Sequence, residues 1–202
     1  MTTPARLRDQ ISALAWKAPV AAAERARSIV HPWFRAQALA SAARWAEGAD
    51  RIRFVRESLR AADEGRDGYL RAAVRAWPLR ALIETEALEE ARFVLGEAIE
   101  IADTATPFSS RSEAYLQILH AAFQLGAQER GRIVVRILAL AAEDEFWRVQ
   151  LNARRALVVL GGEEPERARA LARTLPKTHV AKAERAIERG GRGPREYFWP
   201  SG

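Results

Sequence analysis

The sequence repeats itself at intervals of 36 to 40 residues. Four segments align around an arginine near the predicted start of a helix: 32–46, 68–82, 109–123 and 146–160. The anchoring arginines are Arg35, Arg71, Arg111 and Arg148, spaced 36, 40 and 37 residues apart. Repeats of about 20–50 residues are typical of chains that stack one small unit, because a single unit cannot bury its apolar face alone. This period constrains the fold more than any other feature.

A second apolar pattern follows each segment at the same spacing. Two columns of residues align: Val55, Leu95, Val134 and Leu171, and then Leu59, Ile99, Leu138 and Leu175. Alanine, arginine, leucine and glutamate dominate the composition, and all four favour helices. Apolar residues also recur three and four positions apart, as at Tyr115, Ile118 and Leu119. The sequence therefore predicts an all-α fold, a right-handed α-α solenoid of about four helix pairs (36–40-residue units) with helical caps.

Turn-forming residues predict where the helices begin and end. Three glycines follow the first helices, where a left-handed C-cap residue is expected: Gly48, Gly126 and Gly161. Asp67 and Asp144 precede two of the anchoring arginines as predicted N-caps. Pro78 lies inside a helical pattern and is expected to break or kink it, since proline lacks the amide donor.

The repeat resembles the α-helical repeat superfamily of HEAT-like and tetratricopeptide-like solenoids. The fourth unit is most similar to a HEAT helix, through Asp144, Arg148, Ala153, Ala156, Leu157 and Gly161. The resemblance implies a ladder of Asp–Arg pairs between units, which Asp67 and Arg71 would continue. His31 and Pro107 interrupt that ladder. Such a resemblance specifies architecture and leaves function open.

The pattern divides the chain into four parts. Residues 1–19 are predicted to form an N-terminal helix or cap, and residues 20–175 the helical repeat array. Residues 176–190 are predicted to form a basic C-terminal helix, and residues 191–202 a flexible tail that is unusually aromatic.

Charge and composition narrow the functional classes. The net charge is +6, and residues 167–195 alone carry +7, whereas residues 84–103 hold seven acids against one arginine. Arginine outnumbers lysine 29 to 3, a bacterial-like bias typical of GC-rich coding sequences. The chain has no cysteine, which excludes disulfide scaffolds and thiolate chemistry. The polar first ten residues and the lack of a long apolar run predict a cytoplasmic protein without a membrane partner.

Catalytic and metal-binding patterns are absent from the sequence. The three histidines, His31, His120 and His179, lie in different units and have no second ligand at helical spacing. His120 is expected to be a core histidine. The acidic segment 84–103 lacks a Glu-x-x-His pair, and no glycine-rich phosphate loop is present. The sequence predicts no catalytic residue, metal or cofactor and favours a non-enzymatic role.

Two sets of residues are candidates for partner binding. Aromatic residues near the starts of the first helices form one set, together with two from the tail: Trp33, Tyr69, Trp77, Trp147, Tyr197 and Trp199. Basic residues near the C-terminus form the other: Arg185, Arg189, Arg192 and Arg195. The aromatic residues are equally consistent with packing against preceding helices, and the anchoring arginines with internal salt bridges.

These observations leave two main hypotheses. The first is an interaction scaffold that binds a protein or peptide, because Trp, Tyr and Arg are common interface anchors. The alternative is a nucleic-acid-binding repeat protein that uses its basic C-terminal end. HEAT-like folds include DNA glycosylases, so the resemblance also implies an enzyme of that kind as a remote third alternative.

Overall fold

The computed structural model describes residues 3–190 and 198–199, and its regular secondary structure there is helical. The all-α prediction is confirmed for this part of the chain. The helices, in chain order, are α1 (Pro4–Ala15), α2 (Pro19–Ala26), α3 (Pro32–Trp45), α4 (Gly48–Asp63), α5 (Gly68–Val74), α6 (Ala76–Glu84), α7 (Leu88–Asp103), α8 (Phe108–Ala122), α9 (Ala127–Glu143), α10 (Trp147–Gly161), α11 (Pro165–Ala172) and α12 (Lys177–Arg189).

One set of helices packs side by side through the molecule. Helix α1 packs on α3, α3 on α6, α5 and α6 on α8, α8 on α10, and α10 on α12. We call these helices the first-helix row. The others lie against it: α2 on α1 and α3, α4 on α3, α7 on α5, α6 and α8, α9 on α8 and α10, and α11 on α10 and α12.

The apolar columns lie in the core where the two sets of helices meet. Val55, Leu95 and Val134 are buried, and so are Ile99, Leu138 and Leu175. Leu59 and Leu171 are partly buried and pack against the same core. Both columns therefore point toward the interior in every unit. None of the helices that the structure describes is long and apolar enough to span a bilayer.

Pro78 divides the first helix of the second unit. Helix α5 ends at Val74, Arg75 forms a turn, and α6 starts at Ala76. Proline has no amide hydrogen for the carbonyl of Val74, so a continuous helix would lose that hydrogen bond. The Arg75 guanidinium donates to the carbonyl of Arg71 at 3.0 Å and pairs with Asp63, which stabilises the break. The predicted interruption is confirmed.

The predicted turn glycines and caps are partly correct. Gly48 and Gly126 have positive φ values of 51° and 142°, but each stands at the start of the next helix. Gly161 is not the predicted left-handed C-cap. It is the last residue of α10, and its φ is not positive. In the second unit, which lacks a glycine there, Glu86 takes the left-handed conformation with φ 60°.

The two aspartates differ in role. Asp67 caps α5 and accepts a hydrogen bond from the Leu70 amide at 2.8 Å, as predicted. The prediction for Asp144 is wrong: Phe146 is the N-cap of α10, and the Asp144 carboxylate accepts from the Phe146 amide. Among the described residues neither Asp67 nor Asp144 forms a salt bridge with any arginine, so the Asp–Arg ladder that the resemblance implies does not form there.

Candidate functional site

A groove lined by basic side chains lies between α10 and α12, beside their contact. Its volume is about 730 Å³, and five of its nine lining residues are cationic: Arg154, Arg155, Lys182, Arg185 and Arg189. Glu188 is the acidic residue of the lining, and Leu151, Val158 and Ala186 supply apolar surface. We call this site the basic groove. It can hold an anionic group against an apolar floor.

The cations of the basic groove lack carboxylate partners within the described residues. Arg185 Nε donates to the backbone carbonyl of Ala181 at 3.2 Å, and Arg189 Nε donates to that of Arg185 at the same distance. Arg154 Nη1 lies 3.3 Å from His179 Nδ1. None of the five cations forms a salt bridge with any described residue. Their charge is therefore available to a ligand.

The electrostatics of two neighbouring groups agree with this positive potential. Burial lowers the pKa of the Arg154 guanidinium, and the charge of Arg155 lowers it further. Burial also lowers the pKa of His179, and Arg154 and Lys182 add to that effect, against a smaller opposing effect of Glu145. Nearby like charges disfavour the protonated forms of both groups. A bound anion would relieve this repulsion.

A second, smaller groove continues the first along α10. Its volume is about 420 Å³, and it shares Leu151 and Arg155 with the basic groove. The other lining residues come from α5, α8 and α10: Tyr69, Ser109, Ser110, Glu113, Trp147, Arg148 and Asn152. Trp147 is 58% exposed, and the Arg148 guanidinium lies 5.2 Å from its ring. The two grooves together give a continuous surface with one exposed indole.

Four of the aromatic candidates, Trp33, Tyr69, Trp77 and Trp199, belong to a cluster on α3, α5 and α6. Trp33 stacks on Tyr69 with ring centroids 6.3 Å apart and meets Trp77 edge-on at 5.7 Å. Phe198 covers Trp77 at 5.1 Å, and Trp199 adjoins Phe198. Trp77 is only 8% exposed, so its side chain packs inside the cluster rather than opening into a groove. The cluster buries Trp77 and Trp199, whereas Trp33 and Tyr69 remain partly exposed.

The structure thus divides the predicted residues among three places. Arg185 and Arg189 line the basic groove, and Tyr69 and Trp147 line the adjoining one. The residues in the aromatic cluster are Trp33, Tyr69, Trp77 and Trp199. Three further candidates, Arg192, Arg195 and Tyr197, lie outside the described residues.

Sequence reasoning missed Arg154 and Arg155, which supply much of the basic groove. A signal was present, because Leu151, Arg154, Arg155 and Val158 recur at positions i, i+3, i+4 and i+7 and so share one helix face. The HEAT-like residues Ala153, Ala156 and Leu157 are on the buried face of α10. The exposed face of that helix carries the basic residues instead.

Two of the anchoring arginines stabilise the fold from within. Arg35 donates to the carbonyl of Ile29 at 3.0 Å and pairs with Glu64. Arg111 Nε donates to the carbonyl of Ala105 at 2.9 Å. Both carbonyls belong to the segment that precedes a first helix, so each arginine links that segment to its helix by a hydrogen bond. Arg148 differs, since it is exposed beside Trp147 in the smaller groove.

Residues 3–190 and 198–199 contain no group of three or more histidine, aspartate or glutamate side chains placed to hold a metal ion. His120 is buried in α8, as expected, and burial lowers its pKa to about 4. No protein-family model, curated protein or solved structure matches the chain. The two grooves and the aromatic cluster are therefore the candidate binding sites.

Proposed function

We propose that the protein is a non-enzymatic helical-repeat scaffold that binds an acidic segment of a partner protein in the basic groove. The observation that carries this proposal is the set of five groove cations without a carboxylate partner among the described residues. Charge complementarity between partners speeds association and selects against partners of the wrong charge.

The packing of the helices supports a right-handed α-α solenoid of about four helix pairs. Members of the first-helix row pack on one another, and the second helices rest on that row. Helices α1 and α2 would then cap one end and α12 the other. A solenoid presents an extended surface suited to an extended ligand. The basic groove and the smaller groove both open on the first-helix row.

The lining of the basic groove favours a peptide. Leu151 and Val158 lie about two turns apart on α10, and Ala186 lies on α12. Such apolar positions can accept aliphatic side chains that alternate with acidic ones. Carboxylates of the peptide would pair with the guanidinium groups, which bind carboxylates in a bidentate fashion.

A second candidate, single-stranded nucleic acid, is favoured by Trp147. Proteins that bind single strands combine a positive groove with aromatic side chains on which bases stack. Trp147 is exposed beside Arg148 in the smaller groove, which shares Arg155 with the basic groove. One indole offers a single stacking position, however, whereas the five cations are all in the neighbouring groove.

The test compares the binding of two labelled anionic probes, an acidic peptide and a single-stranded oligonucleotide. A fluorescein-labelled peptide of alternating glutamate and leucine and a twenty-nucleotide oligothymidine are titrated with the protein at several salt concentrations. We expect the peptide to bind more tightly than the oligonucleotide. Replacing Arg154, Arg155, Arg185 and Arg189 by Gln should weaken peptide binding by about a hundredfold, since four solvent-accessible charged contacts at about 0.7 kcal/mol each total about 2.8 kcal/mol.

The matched control removes the same number of positive charges from arginines outside the basic groove. Arg56, Arg60, Arg66 and Arg132 are also exposed and unpaired within the described residues, and replacing all four by Gln should leave peptide affinity within about threefold. Equal losses in both variants would mean that net charge, not the groove, binds the peptide. If the oligonucleotide binds more tightly than the peptide and its binding depends on Trp147, the second candidate is supported. In that case each lost phosphate contact should flatten the slope of log affinity against log salt concentration by about 0.7.

A further inference from the structure

The C-terminal pair Phe198 and Trp199 packs on helices more than a hundred residues earlier in the chain. The Trp199 indole N–H donates to both carboxylate oxygens of Glu84, at 3.1 and 3.2 Å. Both aromatic side chains are buried. This contact ties the end of the chain to α3 and α6.

The indole lies in a site of complementary shape and charge. The Arg44 guanidinium lies 5.0 Å from the Trp199 ring and pairs with Glu84 at 2.5 Å. Arg80 pairs with Glu84 from the other side at 2.7 Å. Trp77 meets Phe198 edge-on. We call Arg44, Trp77, Arg80 and Glu84 the indole socket.

The indole socket is organised around one hydrogen-bond acceptor. Arg80 is 3% exposed and the Glu84 side chain 13% exposed, so the two arginines hold the carboxylate in a largely dry site. A carboxylate fixed in this way accepts from an indole N–H, which a phenylalanine side chain lacks. A cation over the ring adds a contact that is strongest for tryptophan among aromatic residues. The socket therefore distinguishes tryptophan from other apolar side chains.

We propose that the indole socket is a recognition site for Phe-Trp segments, and that Phe198 and Trp199 occupy it as an intramolecular ligand. The covalent link gives the chain's own pair a high effective concentration at the socket. A segment of the same sequence supplied in trans is therefore excluded while the pair is bound. It gains access when the pair is removed. This inference does not depend on the basic groove or on its ligand.

The main experiment supplies the segment in trans. The full chain carries Phe198→Ser and Trp199→Ser, and the probe is a fluorescein-labelled peptide with the sequence of residues 191–202. We expect the peptide to bind this variant at least about tenfold more tightly than it binds the wild-type protein. Affinity for the wild type equal to that for the variant would overturn the proposal.

Two control peptides separate the socket from general attraction between charges. One has Ser-Ser in place of Phe-Trp and keeps both arginines; the other has Phe-Phe and keeps the apolar area. We expect both to bind the variant at least about tenfold more weakly than the Phe-Trp peptide, the second because it lacks the donor to a charged acceptor. Equal binding of all three peptides would show that the socket recognises neither ring nor indole.

A measurement on the folded wild-type protein tests the contact without that variant. The Trp199 indole N–H signal is assigned by its loss in the conservative variant Trp199→Phe, and its hydrogen exchange is followed by NMR. We expect exchange at least about a hundredfold slower than in a free peptide, because the N–H is hydrogen-bonded and buried. Exchange at the rate of a free peptide would overturn the proposal. A wild-type dimer whose dissociation exposes the indole would do the same, because the ligand would then come from a second copy.

Discussion

The two arginine-rich regions of the protein, the indole socket and the basic groove, use the same residue in opposite ways. In the socket, Arg44 and Arg80 both pair with Glu84, and Arg80 is almost fully buried. In the basic groove, Arg155, Arg185 and Arg189 are exposed and have no acidic partner among the described residues.

The difference lies in the acids that face each region. Glu84 stands at the end of α6 between the two socket arginines, and it offsets the cost of removing them from water. Helices α10 and α12 face each other with Glu188 as the acid in the lining of the groove between them. An arginine with a fixed carboxylate stabilises the fold, whereas one without remains available to a ligand.

The largest effect is expected from removing the acid of the socket. Glu84→Ala should destabilise the protein by about 3–5 kcal/mol, because it leaves two arginines unpaired, one of them buried. Urea denaturation followed by circular dichroism measures the change. The same substitution in the other region, Glu188→Ala, should cost less than about 0.5 kcal/mol. Similar losses in the two variants would remove the contrast between the regions.

The second prediction concerns the apolar core formed where α9 packs on α8 and α10. Leu138 on α9 is buried in the core, so Leu138→Ala should cost about 2–5 kcal/mol in the same experiment. Val135 lies on the same helix and is 53% exposed, and Val135→Ala should cost under about 0.5 kcal/mol. A loss below about 0.5 kcal/mol for Leu138→Ala would mean that the repeat alignment misplaces the column.

The third prediction concerns the pH dependence of stability, which involves His120 and the groove residue Arg155. Burial, followed by the charge of Arg155, lowers the pKa of His120 from 6.5 to about 4. The unfolded chain therefore binds a proton at a higher pH than the folded protein does. The resulting stability is complete above about pH 6.5 and is lost progressively as the pH falls toward 4.

Between pH 7 and pH 4 this effect amounts to about 3 kcal/mol, and His120→Leu should abolish it while other groups keep their contributions. Denaturation at both pH values measures the difference between the two proteins. Arg155→Gln should raise the pKa of His120, which NMR titration of its ring detects. A wild-type His120 that titrates near 6.5 would contradict the burial that the structure gives it.

The smallest effect is expected in the basic groove itself. The double variant Arg185→Gln and Arg189→Gln should change the free energy of unfolding by less than about 0.5 kcal/mol, because both side chains are exposed and unpaired among the described residues. Thermal and urea denaturation check this. A loss above about 1 kcal/mol would show that these arginines stabilise the fold, as those of the socket do.

The sequence alone determined the helical elements and much of the core. Local features carry that information: the i, i+3, i+4 spacing, the cap at Asp67 and the break at Pro78. Apolar positions such as Ile99 and Leu138 could be placed inside because the same positions are apolar in every unit. The turn positions were less predictable, as Gly161 and Asp144 show, since a helix end shifts by a residue or two with packing.

Only the tertiary structure decided which charged and aromatic groups meet. Arg154 and Arg185 are 31 positions apart in the sequence and line one groove because α10 and α12 are neighbours in the first-helix row. Glu84 and Trp199 are 115 positions apart, and no local pattern relates an acid at the end of α6 to an indole at the C-terminus. A helix period specifies which face of each helix is buried, but the partner of an exposed side chain depends on how separate helices pack in three dimensions.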